Sequence, residues 1–150
     1  MAESDDARRW PAYAMAVLML GYAVGKATFA VQARLGFPGG PPVSAAEAAN
    51  YFLDPALAQW LASLSGVLGA CIAVASISSR ARAVPRPLMV AVLAVMTLAV
   101  VGGGGVMALD GFVGLGVGWR WYHGVVGLFA IAVALEMFRS YLTASARVRR

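Results

Sequence analysis

Cysteine, histidine and lysine each occur once in this chain of 150 residues. The lone Cys71 excludes an internal disulfide, a CxxC redox pair and a cysteine-ligated zinc site. The lone His123 excludes bis-histidine haem ligation within one chain. Charge is scarce too: 13% of residues are charged and 61% apolar, against about 25% and about 45–50% in soluble domains. With a mean hydropathy of +0.74, the chain is not an ordinary water-soluble domain. It contains no nucleophile–base pair, metal-ligand cluster or cofactor motif, so neither an enzyme nor a cofactor is expected. A pI near 10.0 would suit nucleic acid. The basic residues, however, flank apolar runs, where they read as topology signals. The expected partner is the lipid bilayer, not nucleic acid.

A hydrocarbon core about 30 Å thick needs about 20 apolar residues per helix. Four such runs are present, at about 12–34, 56–77, 88–109 and 121–141. The expected fold is therefore all-α, one transmembrane domain over 1–150 built as a four-helix bundle. The first run is too long for a signal-peptide core, carries Lys26, and follows the mixed charges Glu3, Asp5, Asp6, Arg8 and Arg9. It reads as a retained span. Pro55 and Pro87 suit first helical turns, and Asp54 suits an N-cap. With both termini cytoplasmic, the inner side holds Arg8, Arg9, Arg80, Arg82, Arg86, Arg139, Arg147, Arg149 and Arg150. The outer side keeps only Arg34 and Arg120, a strong positive-inside bias. Arginine greatly outnumbers lysine, a bias that fits a GC-rich bacterial coding sequence and a multi-pass protein of the cytoplasmic (inner) membrane.

The first outer loop opens with Gly36-Phe37-Pro38-Gly39-Gly40-Pro41-Pro42, which rules out regular structure there. Ser44 and Glu47 then have capping-box spacing, which predicts a short helix over Ala45–Leu53. Tyr51, Phe52, Trp60, Trp119, Trp121 and Tyr122 suit the outer interfacial belt.

Four polar residues are candidates for a role. Counted back from Arg34, Lys26 lies about 12 Å below the outer surface. At that depth it needs a partner, or must snorkel to the headgroups. Asp110 follows Gly102-Gly103-Gly104-Gly105 at a similar depth. A polar cluster of Lys26, Asp110 and nearby His123 is therefore expected, with the ammonium also serving carbonyls freed by the glycines. Alternatively the glycines simply pack against another helix. Glu136 is the candidate buried carboxylate, either a proton carrier or the partner of Arg139 one turn on. Cys71, mid-span, reads as a small inert hydrophobe. Gly21-x-x-x-Gly25, Gly66-x-x-x-Ala70 and Ser65-x-x-x-Gly69 have close-packing spacing, and Gly124 and Gly127 add a groove. They are expected to close the bundle internally, the other reading being a homo-oligomer seam.

Gly21-Tyr22-x-x-Gly25-Lys26 followed by Leu35-Gly36-x-Pro38-Gly39 resembles the start of small four-span bacterial proteins of the DoxX-like kind, and of four-span actinobacterial proteins. That resemblance implies a redox-associated membrane subunit. The DoxX-like pattern also places a glutamate in the second span, and here none lies between Pro55 and Ile77. From the residues themselves, the expected function is a non-catalytic accessory or scaffolding subunit, partnered by another membrane protein or by its own copies. The competing reading is a small transporter that uses Lys26 and Glu136.

Overall fold

The computed structural model describes residues 9–78 and 83–147, and the side chains within them up to residue 145. Among the described residues five helices follow one another: α1 Trp10–Ala30, α2 Ala45–Ala49, α3 Pro55–Ile77, α4 Arg86–Val113 and α5 Trp121–Arg147. No strand occurs among the described residues. Four of the helices are long and apolar enough to cross a membrane. Within their most apolar stretches only 22–28% of residues are buried, so most of the apolar side chains face outward. Such a surface is stable in hydrocarbon, not in water. Of the arginines assigned to the inner side, Arg8, Arg80, Arg82, Arg149 and Arg150 lie outside the described residues.

The helix starts follow local chemistry. Pro11, Pro55 and Pro87 occupy first turns, where a missing N–H costs no helical bond. The Asp54 carboxylate accepts from the Leu57 amide at 3.0 Å and caps α3. Ser44 and Glu47 form a reciprocal capping box at the start of α2. That helix stops at Ala49, short of the expected Leu53, where Asn50 turns back to donate to the Ala46 carbonyl. The first span is shorter than its apolar run as well. It ends at Ala30 and not near residue 34, because Ala33 takes a left-handed φ of 49° and the Arg34 amide returns to the Phe29 carbonyl. At the other ends, α4 and α5 continue past the expected 109 and 141, to Val113 and Arg147.

The long helices associate mainly as two pairs, α1 with α3 and α4 with α5, and the pairs meet chiefly through α1 and α5. At the end where α1 starts and α5 finishes, called the terminal end below, Met15, Ala73, Leu93, Val133, Ala134 and Met137 form a fully enclosed apolar core. Arg86 Nε donates to Ser145 Oγ at 3.0 Å there, tying the start of α4 to the end of α5. The opposite end carries the 31–54 and 114–120 connections and is called the loop end below.

Candidate functional site

Polar chemistry concentrates at the loop end. Lys26 lies four residues before the end of α1, about 6 Å below it at 1.5 Å per residue. Its Nζ donates to the Gly36 carbonyl at 3.0 Å and sits 5.7 Å from the Tyr22 ring centre. Gln59, one turn into α3 and 2% exposed, donates through Nε2 to the Arg34 carbonyl at 3.0 Å and to the Gly36 carbonyl at 2.9 Å. Both carboxamide hydrogens and both lone pairs of the Gly36 oxygen are thereby used. Phe37 follows and lies against Gly25, where any Cβ would run into its ring. Ser63 adds a buried bond across the pair, its hydroxyl donating to the Ala23 carbonyl at 2.9 Å.

Asp110 anchors the other connection. It is buried at the end of α4, and its two carboxylate oxygens accept from the Val117 amide at 3.1 Å and the Trp119 amide at 2.6 Å. The loop reaches this geometry because Gly114, Gly116 and Gly118 all take positive φ, at 78°, 83° and 103°. Alternating left-handed residues turn successive amides inward, the concave arrangement that favours an anion. Trp119 then lies edge-on to His123 with centroids 5.0 Å apart, and His123 Nδ1 accepts from the Arg120 amide at 3.2 Å. A Cβ on Gly40 would touch the Trp119 ring, and one on Gly118 would touch Pro41. The two connections therefore pack directly on each other.

The expected Lys26–Asp110–His123 cluster divides accordingly. Asp110 and His123 share the Trp119 neighbourhood, whereas Lys26 belongs with Gln59 and the first loop. Lys26 and Asp110 form no ion pair. Lys26 does serve a carbonyl, but that of Gly36, since Gly102 to Gly105 stay helical and free none. Glu136 is not enclosed: its side chain is 41% exposed, 3.5 Å from Arg139 and 3.4 Å from the Ser140 hydroxyl. A partly exposed position past the middle of α5 leaves it a pair on its own helix. Cys71 likewise faces outward.

Two features of this site carry weaker sequence signals than the charges do. Gln59 is a neutral carboxamide in an otherwise apolar helix start, overshadowed by Lys26. The Gly114-x-Gly116-x-Gly118 alternation, four residues after Asp110, was the mark of an amide-lined turn. The loop end also carries an open cleft of about 460 Å³ between α1, α2 and α3, lined among others by Tyr22, Lys26, Glu47, Tyr51 and Gln59. Bonds from the Ser44 hydroxyl and amide hold the Glu47 carboxyl below its usual range, so it is ionised at neutral pH. Among the described residues no three His, Cys, Asp or Glu side chains gather as a metal site. Compared with protein-family models, curated proteins and solved structures, the chain matches none.

Proposed function

We propose that this protein is a small accessory or scaffolding subunit of a bacterial inner membrane, its four spans assembled as a bundle with both termini cytoplasmic. One observation carries the reading: the polar side chains of the spans hold the chain's own backbone at the loop end. Lys26 and Gln59 fix Gly36, Asp110 fixes Val117 and Trp119, and Ser63 fixes Ala23. Those bonds give a rigid extramembrane face above four helices with apolar exteriors. Transport through Lys26 and Glu136 is disfavoured, because Met15, Leu93 and Val133 fill the interior toward the terminal end and Glu136 lies on the outer surface of α5. Arg9, Arg86 and Arg139 at the terminal end agree with a cytoplasmic assignment of that side.

Two experiments test this. In a Cys71→Ala background, Ser44→Cys should react in intact cells with a membrane-impermeant thiol reagent, and Ser78→Cys should not. The reverse pattern rejects the orientation. For the function, copurification from native membranes at endogenous level should return a stoichiometric membrane-protein partner or a homo-oligomer. A lone monomer that moves solute into proteoliposomes would overturn the scaffold reading.

A further inference from the structure

The cleft at the loop end holds two opposite charges that do not meet. Lys26 and Glu47 both line it, yet no ion pair joins them. Lys26 has spent one of its three N–H donors, on Gly36. Glu47 takes both Ser44 bonds on Oε2 and leaves Oε1 without a hydrogen-bond partner. The phenols of Tyr22 and Tyr51, each only partly buried, line the same space. A volume of about 460 Å³ accommodates a small polar group. The cleft also lies at a defined depth. Lys26 is about 6 Å below the end of α1, and Tyr51, which lines the cleft, is exposed like its sequence neighbour Phe52, as aromatics of an interfacial belt are.

We propose that this cleft binds a zwitterionic ammonium–phosphate group, with the phosphate on Lys26 and the tyrosine hydroxyls and the ammonium on Glu47. A simple anion fits less well, because Glu47 would repel it, and a simple cation is repelled by Lys26. A dipolar group satisfies both. The depth favours a lipid headgroup of the phosphatidylethanolamine type as the source, and free phosphoethanolamine presents the same chemistry.

The test is a titration of the full chain in mild detergent with short-chain phosphatidylethanolamine, phosphatidylglycerol and soluble phosphoethanolamine, followed by native mass spectrometry. Phosphatidylethanolamine should bind about tenfold more tightly than phosphatidylglycerol, the scale of one charge-assisted hydrogen bond gained. Glu47→Gln removes the charge but keeps a capping-box residue, so the fold is retained and the preference should vanish. Lys26→Met should weaken both lipids. Competition by phosphoethanolamine would assign the site to the headgroup alone, and its failure to compete would assign it to the intact lipid; both support the proposal if Glu47→Gln abolishes the effect. Equal binding of the two lipids by the wild type, or an unchanged preference in Glu47→Gln, overturns it.

Discussion

The two helix pairs solve one problem with opposite chemistry. In the α1–α3 pair, donors on the helices, Lys26 Nζ and Gln59 Nε2, reach out to loop carbonyls. In the α4–α5 pair, an acceptor, the Asp110 carboxylate, gathers loop amides. The helix seams differ in the same way. Glycines on both helices bring the backbones of α4 and α5 together: a Cβ on Gly104 would stand 2.8 Å from the Gly127 carbonyl oxygen, and one on Gly111 2.8 Å from the Arg120 carbonyl. In the other pair only α3 contributes glycines, Gly66 and Gly69, which receive Met19 and Ala23 of α1. A backbone-to-backbone seam has no flexible side chain to yield. The α1–α3 seam meets backbone at Gly66, where a Cβ would stand 2.9 Å from the Met19 carbonyl oxygen, but at Gly69 it meets the unbranched Met19 thioether, which adapts. Gly127 and Gly69 should therefore respond unequally to overpacking.

The largest effect is expected from Gly127→Ala. Its side chain would enter the Gly104 backbone, and overpacking of that kind costs about 3 kcal/mol or more where nothing can move. Thermal unfolding in a lipid-like detergent should show it, and Gly69→Ala, which meets the end of Met19, should lose less. Equal losses would erase the distinction between the seams. Next comes Asp110→Ala, which strands the Val117 and Trp119 amides away from any carboxylate. It should lower the melting temperature more than Lys26→Met does, because Gln59 still holds Gly36 when the lysine is gone. Hydrogen exchange should then rise at Val117 and Trp119 in the first variant and leave them protected in the second.

Gly21 sharpens the comparison from the other side. It has open space where a Cβ would go, so Gly21→Ala should leave the melting temperature unchanged, while Gly25→Ala, which drives into Phe37, should lower it. A shift in oligomer size with Gly21→Ala would instead mark a dimer seam. The smallest effect concerns pH. The lowered Glu47 value means that its contribution to the α2 cap is complete above the ordinary glutamate value of 4.5 and is lost as pH falls through the lowered one. A lower protection factor for the Glu47 amide in acid, with α3 unaffected, is the expected record.

What was legible in the sequence was set by short-range chemistry. Hydropathy located four helices of spanning length, and Asp54, Ser44 with Glu47, and the first-turn prolines gave the starts of α3 and α2. The pairing of polar groups was not legible, because it depends on where a loop folds back. Depth counted along a helix extended to Arg34 pairs Lys26 with Asp110. The chain instead turns after Ala30 and delivers Gly36 to the ammonium. Helix rotation hid the rest. The Gly21-x-x-x-Gly25 spacing looks like a helix seam, yet Gly21 faces open space and Gly25 receives a loop aromatic. Of four consecutive glycines, Gly104 alone meets a neighbouring helix.

Two independent loop anchors are the centre of this account, and a double-mutant cycle in thermal stability measures their independence. Lys26→Met removes one donor from Gly36. Asp110→Asn replaces one acceptor oxygen with an NH2 that faces an amide donor. Sites without shared partners add to within about 0.3–0.5 kcal/mol, so the double variant should lose the sum of the two single losses. If the double variant instead recovers stability relative to Asp110→Asn alone, Lys26 and Asp110 are partners, and the division of the loop end into two anchors is wrong.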